Sequence, residues 1–290
     1  MQMLSGYNHT IVICVYKKKG VPLQGKDLHC MEQKQYTYIG IIPARYASTR
    51  FPGKPLVDIC GKPMIQRVYE QARKLLATVI VATDDERIRA CVQGFGGQVV
   101  MTSPSHKCGT DRVEEAYEIY MAAQTRPLPD DEVVVINIQG DEPFIQPSQI
   151  EAIMSCFPTE IATLVKPFTA EDTLEDLMNP NSPKVVFSQQ TGEAIYFSRS
   201  VIPYQRGADS TQWLLQGKYY RHIGMYAYRA DVLKRITRMQ QTPLELAESL
   251  EQLRWIENGV KVKVAVCDAY SMGIDTPEDL QEAIQYLNMQ

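Results

Sequence analysis

A chain of 290 residues, 44% of them hydrophobic and with a net charge of −4, can bury a sizeable core as one large α/β domain or a domain with a smaller lobe, which excludes a disordered polymer. The acidic balance excludes general binding to nucleic acid or anionic membranes, so any basic function must be local. Seven scattered cysteines with no C-x-x-C pair and four dispersed histidines argue against a zinc site, fit reduced cytoplasmic thiols better than a disulfide frame, and leave any metal to oxygen ligands.

Residues 1–35 read as foreign to the rest. Ile11 to Val15 is a short apolar run followed by Lys17, Lys18 and Lys19. It cannot span a membrane, and its charge follows the run where a signal peptide needs it before. The expectation is a disordered extension, with the working domain over residues 36–290. That domain opens on a β-branched run, Ile39, Ile41 and Ile42, which predicts a buried strand ended by Pro43. The loop after it carries Arg45, Arg50 and Lys54 around Gly53 and two prolines, an arrangement in which backbone N–H groups and cations converge on phosphate. It is no Walker loop, because no glycine stands five residues before Gly53 and Pro55 follows Lys54. A merely solvated basic loop fits less well, since three cations recur at the end of the first strand.

The run Pro43-Ala-Arg-Tyr-Ala-Ser-Thr-Arg-Phe-Pro-Gly-Lys54 closely resembles the signature loop of CMP-KDO synthetases (3-deoxy-manno-octulosonate cytidylyltransferases), which activate an eight-carbon 2-keto sugar acid with CTP. The resemblance covers residues 38–290. Sialic-acid cytidylyltransferases share the strand-Pro-Ala-Arg start and then diverge, so the Ser-Thr-Arg-x-Pro-Gly-Lys portion is the more diagnostic. The resemblance implies that Pro43, Ala44, Arg45, Ser48, Arg50 and Lys54 meet the nucleotide, with Arg45, Arg50 and Lys54 the catalytic cations. Met31 lies where a member of the family would start, so residues 1–30 read as dispensable.

Farther along, Met64, Ile65, Val68, Ala72, Leu75 and Leu76 recur at helical spacing, and Val79 to Thr83 reads as a parallel strand. Asp84 and Asp85 begin a second helix, which Gly94, Gly96 and Gly97 close before a strand over Gln98 to Thr102. Those glycines end a helix instead of opening one, which rejects a dinucleotide fingerprint. The polar turn Ser103 to Arg112 leads into a helix over Val113 to Ala122. It resembles the family's Ser-Gly-Thr-[Asp/Glu]-Arg loop beside the nucleotide base, which implicates Gly109, Thr110 and Arg112, although Cys108 replaces the usual serine and removes a hydroxyl. A purely local capping and pairing role for His106 and Arg112 stays open.

The run Val133 to Ile138 predicts a strand buried on both faces, with Gln139, Asp141 and Glu142 at its carboxyl end, where open α/β sheets bind ligands. Paired acids there can cap a turn, but beside the cationic loop they favour a metal. Pro147 and Ser148 start another short helix. From Ile161 the pattern turns to α+β, with strands at Ile161–Val165, Val185–Phe187, Ala194–Phe197 and Ile223–Tyr228. Arg199, His222 and Tyr226 fall in motifs that resemble the family's sugar-binding elements, as does Gln139, which the resemblance gives to both substrates. Read from its residues alone, His222 is as readily a satisfied core histidine. A helix over Leu244 to Gly259, with the glycine as its stop, is expected to bury Leu246, Leu250 and Leu253. The family's Leu-Glu-Gln-Leu-Arg pattern in it implies that Glu251 and Gln252 read sugar hydroxyls, while Arg254 reads as solvated. After a strand over Val262 to Val266, Thr276, Pro277 and Asp279 form a full helix-start signal. Asp275 just outside it matches the family acid that coordinates magnesium, and Asp141 is its expected partner.

The fold class expected is α/β, a Rossmann-like, mostly parallel nucleotidyltransferase core over residues 36–160 with an α+β sugar-binding and dimerisation portion over residues 161–290. The function implied is transfer of CMP from CTP to 3-deoxy-manno-octulosonate (KDO), giving CMP-KDO and pyrophosphate for lipopolysaccharide biosynthesis. Mg2+ is the implied cofactor, with Asp141 and Asp275 as ligands, in a cytoplasmic homodimer that binds neither nucleic acid nor membrane. The rival readings are another 2-keto sugar acid as substrate, or a catalytically silent nucleotide-binding protein on the same fold.

Overall fold

The computed structural model describes residues 35–47, 51–269 and 272–289; all but the last residue of the expected extension lies outside them. In chain order the first half gives β1 (Thr37–Ala44), a small hairpin of β2 (Asp58–Ile59) and β3 (Lys62–Pro63), α1 (Met64–Arg73), β4 (Thr78–Thr83), α2 (Glu86–Gly94), β5 (Gln98–Met101), α3 (Gly109–Ala122), β6 (Val133–Asn137) and α4 (Pro147–Met154). The second half gives β7 (Ile161–Pro167), α5 (Leu174–Met178), β8 (Lys184–Phe187), β9 (Ala194–Ser198), α6 (Trp213–Gln216), β10 (Tyr220–Arg229), α7 (Ala230–Ile236), α8 (Pro243–Glu248), α9 (Gln252–Glu257), β11 (Val262–Val266) and α10 (Pro277–Asn288).

One sheet runs through both halves in the order β11-β7-β10-β6-β1-β4-β5. β1 is parallel to β4 and β6, β4 to β5 and β11 to β7, while β10 inserts antiparallel between β6 and β7 and carries the side pair β8 and β9. This is the mixed, mostly parallel α/β architecture that the sequence predicts. The strands read as unbroken apolar runs because both faces are covered. Ile39, Ile41, Ile80, Val133 and Val135 pack against Val113, Tyr117, Leu233 and Trp255 on one face. Their neighbours Ile42, Val79, Val81, Val134 and Ile136 pack against Val68, Val92, Ile150 and Ile153 on the other, the period of two that a pleated strand imposes. From β1 the chain steps to β4 and β5 on one side and returns to β6 on the other, so the switch in strand order falls at the carboxyl ends of β1 and β6, the place where such sheets hold ligands.

Three local expectations are corrected. Pro43 lies within β1, in register with Ala82 of β4. Ile41 O accepts from Ile138 N at 3.0 Å, so residues 41 and 43 both direct their backbone toward β6. β6 ends at Asn137, and a missing donor at Pro43 leaves nothing unpaired. α3 starts at Gly109 with Cys108 as its cap, four residues earlier than its apolar periodicity suggests. The helix expected over residues 244–259 is two helices, broken where Ser249 takes a left-handed φ of 50°. Leu246 is consequently 61% exposed, while Leu250 and Leu253 are buried.

Candidate active site

Pro43, Ala44, Arg45, Lys54, Gly109, Gln139, Asp141 and Asp275, drawn from five separate stretches of sequence, line one crevice of about 460 Å³ at the switch point. Ser48 and Arg50 lie outside the described residues. The cationic loop is closed by Gly53 N donating to Tyr46 O at 2.9 Å. Gly53 has a φ of 74°, and a Cβ there would stand 3.2 Å from the Tyr46 ring, so glycine alone makes the turn that delivers Lys54. On the opposite wall a Cβ at Gly140 would meet Pro43 O at 2.9 Å. Glycine at that position lets the loop after β6 approach the end of β1 and narrows the crevice, a role that the sequence pattern alone did not single out.

Lys54 Nζ donates to Asp141 Oδ2 at 2.7 Å and to Asp275 Oδ1 at 3.0 Å. The two carboxylate oxygens are therefore no farther apart than those distances combined. Burial works against the ammonium, but Asp141 and Asp275 outweigh it and hold the Lys54 pKa above the ordinary lysine value. Strand order does not bring Asp275 here, because β11 lies three strands from β6. The chain returns after β11, with Ile274 N donating to Asp141 O at 2.9 Å and the Ile274 side chain buried beside Ile59, Met64 and Phe144. The capping box of α10 then fixes the acid, since Asp279 Oδ2 accepts from both Asp275 N and Thr276 N, at 2.8 and 2.9 Å.

Gln139 joins this crevice to the second half. Its Nε2 donates to Gly224 O at 2.7 Å, at the irregularity that interrupts β10 between Ile223 and Tyr226. His222 is packed edge-on against Phe197 and tilted on Tyr226, with ring centroids 5.3 and 5.2 Å away. Its Nε2 stands 3.0 Å from Thr163 Oγ1, whose own proton is donated to Met225 O at 2.9 Å. Burial pushes the imidazole pKa down to about 4. His222 is therefore a neutral ring at pH 7. Thr163, hidden in an apolar strand run, gave no sequence signal of this role. Arg199 donates to three backbone carbonyls, those of Glu248, Pro180 and Ser249. Its guanidinium thus closes the carboxyl end of α8.

Glu251 and Gln252 stand at the start of α9. The Gln252 amide is buried, and its Nε2 has no hydrogen-bond partner among the described residues. Glu251 accepts from Thr110 Oγ1 at 2.7 Å and from Cys108 Sγ at 3.4 Å. Burial raises its pKa, with the Thr110 hydrogen bond and Arg254 opposing that rise. Two expectations fail. Arg112 is 1% exposed and donates to Thr102 Oγ1 at 2.6 Å and Asp84 Oδ2 at 2.9 Å, so its guanidinium ties α3 to the ends of β4 and β5 and presents no surface to a nucleotide. Arg254, expected in solvent, is 7% exposed and grips Glu245 through Nε and Nη2 at 2.9 and 2.7 Å.

A family model described as cytidylyltransferase matches residues 39–262. The chain is 59% identical over 254 residues to the 3-deoxy-manno-octulosonate cytidylyltransferase of Parabacteroides distasonis, covering 86% of this chain and 98% of that protein. It is 58% identical over 253 residues to the protein of the same name from Bacteroides thetaiotaomicron, with coverage of 86% and 98%. A solved structure of CMP:2-keto-3-deoxy-manno-octonic acid synthetase complexed with CTP superposes with a TM-score of 0.76 at 39% identity, over 87% of this chain and 99% of that one.

Proposed function

The chain belongs to the 3-deoxy-manno-octulosonate cytidylyltransferase family, and from that membership we propose that it transfers CMP from CTP to KDO, releasing pyrophosphate and supplying CMP-KDO for lipopolysaccharide biosynthesis. The anomeric hydroxyl of KDO attacks the α-phosphorus in line, with no covalent enzyme intermediate. Arg45 and Lys54, with Arg50 beyond the described residues, bind the triphosphate and stabilise charge on it as pyrophosphate leaves. Cys108 is no nucleophile, since burial pushes its thiol up to about 12. Gln139, Arg199, His222, Tyr226, Glu251 and Gln252 form the sugar side. Neutral His222 and the buried amide of Gln252 serve as hydrogen-bonding groups.

The observation that carries this reading is the convergence of Lys54, Asp141 and Asp275 in the crevice that Arg45 and Gly109 also line. The same trio bears on magnesium. Lys54 Nζ is a cation lodged between two hard oxygen donors, so the donor set suits a hard divalent ion. Among the described residues no cluster of three or more His, Cys, Asp or Glu could hold a metal, which fits an ion that takes two protein carboxylates and completes its shell with phosphate and water. Asp141 and Asp275 would hold Mg2+, and when bound it would neutralise triphosphate charge. The homodimer is proposed on the surface of the second half, where Ile195, Tyr204 and Leu215 are 60%, 73% and 73% exposed. No helix among the described residues is long and apolar enough to cross a membrane, in keeping with the cytoplasmic location proposed. The deciding assay follows pyrophosphate release from CTP and Mg2+. Release that requires KDO supports the activity; release that KDO does not stimulate, or that sialic acid stimulates better, overturns it.

A further inference from the structure

A carboxylate that reads sugar hydroxyls discriminates only if its acceptor lone pairs are held in fixed directions. Glu251 is held from a place its sequence neighbours do not suggest. Thr110, 141 positions away, donates its single hydroxyl proton to Oε2 at 2.7 Å, and Cys108 donates to Oε1 at 3.4 Å. One donor on each oxygen fixes the rotation of the carboxylate about its last bond. An ionised carboxylate has about four acceptor directions, so this leaves others for a substrate, and the Glu251 side chain keeps 27% of its surface exposed. Arg254 Nη2 pairs with Oε1 at 3.7 Å while its hydrogen bonds go to Glu245, which leaves Oε2 to Thr110. Cys108 and Thr110 flank Gly109, the α3 residue that lines the nucleotide crevice.

We propose that Thr110, with Cys108 as a weaker second donor, is a positioning residue for the sugar acid that acts through Glu251. The hydroxyl that its motif assigns to the nucleotide loop serves the other substrate. Because Thr110 is 3% exposed and its hydroxyl proton is committed to Glu251, its side chain has no donor left to offer a base. The cap of α3 thereby couples the two subsites, with backbone at Gly109 meeting CTP while the flanking side chains orient the reader of KDO. The proposal rests on the reading of Glu251 as a contact to the sugar hydroxyls.

Steady-state kinetics of the full chain test it. Thr110→Val keeps the side-chain shape and removes the donor. A lost hydrogen bond to a charged group is worth about tenfold or more, so KM for KDO should rise about tenfold while KM for CTP stays within about twofold. Thr110→Ser should recover most of the loss, and Cys108→Ala should raise KM for KDO alone, by about two- to threefold, as befits a weak thiol donor. Glu251→Gln should raise KM for KDO, and adding Thr110→Val to it should raise it little further. If Glu251→Gln leaves KM for KDO unchanged, the sugar reading of Glu251 falls and the proposal with it. If Glu251→Gln raises that KM but Thr110→Val does not, or if Thr110→Val acts chiefly on CTP, the positioning role alone is overturned. Should Thr110→Val fold poorly, the KDO selectivity of Cys108→Ala decides the matter the same way.

Discussion

Replacing Lys54 by Met removes the ammonium that now stands 2.7 and 3.0 Å from Asp141 and Asp275 and keeps the length of the side chain. Its effect on turnover and its effect on stability should separate. The two carboxylate side chains are 35% and 47% exposed against 12% for Lys54, so solvent screens both ion pairs. Each then contributes roughly 0–1 kcal/mol, which relief of the desolvation cost of the ammonium partly offsets. Unfolding free energy should therefore change by no more than about 1 kcal/mol. Loss of one preorganised electrostatic donor to developing charge instead lowers kcat by about 10²–10³, or about 2.7–4 kcal/mol. Initial rates of pyrophosphate release at saturating CTP and KDO, set beside urea unfolding, measure the two numbers independently. A third readout needs no substrate. With the ammonium gone, Asp141 and Asp275 are left to a divalent ion, so Mn2+ followed by electron paramagnetic resonance should bind the variant more tightly than the wild type. Near wild-type turnover, or a stability loss as large as the kinetic one, would refute the reasoning.

Asp141→Asn and Asp275→Asn should each abolish most turnover without unfolding the chain, and each should raise the Mg2+ concentration needed for half-maximal rate; an unchanged Mg2+ dependence removes them from the metal site. His222→Ala and Gln252→Ala should raise KM for KDO far more than KM for CTP, and equal effects on both substrates would mark a structural role. His222 also sets an acid limb of stability. Its folded pKa near 4 lies below the unfolded value, so the unfolded chain binds more protons as pH falls from about 6.5 toward 4, costing up to about 3 kcal/mol that His222→Ala should abolish in pH-dependent melting curves. Glu245→Ala leaves the buried Arg254 only Met239 O and, at 3.7 Å, Glu251, a loss of about 3 kcal/mol, and should lower the melting temperature by roughly 6–12 °C, given about 2–4 °C per kcal/mol in a domain of this size. A shift under about 2 °C would show the pair to be dispensable.

Sheet and crevice were legible where one physical constraint dominates. Strands covered on both faces must be apolar throughout, and the runs at Ile39, Val79 and Val133 say so without ambiguity. A helix start announces itself when Thr276, Pro277 and Asp279 all agree, and the structure carries that capping box in full. Lys54 was legible as an anion-seeking residue because Gly53 and the prolines around it have few other uses. What sequence hid was tertiary. Asp275 approaches Asp141 through a backbone bond from Ile274 and a small satellite core, neither of which leaves a periodic trace. Arg112 reads as a motif cation, yet its neighbours Asp84 and Thr102 come from other stretches and claim it inside the protein.

The break at Ser249 is the clearest case. Residues 245 and 254 are nine apart, and in a continuous α-helix nine residues turn about 900° and rise about 13.5 Å, which puts the two side chains on opposite faces and out of reach. The observed pair, 2.7 Å apart at its shorter contact, is therefore possible only because Ser249 leaves helical backbone and lets α8 fold back on α9. A serine in the left-handed region carries no compositional warning, since glycine is the residue expected there. With Arg254 fixed by Glu245 on one side, Glu251 lies 3.7 Å from the same guanidinium and accepts from Thr110 and Cys108. In a continuous helix Glu245 and Arg254 would face opposite ways, and the buried Arg254 would lose both of its hydrogen bonds to that carboxylate.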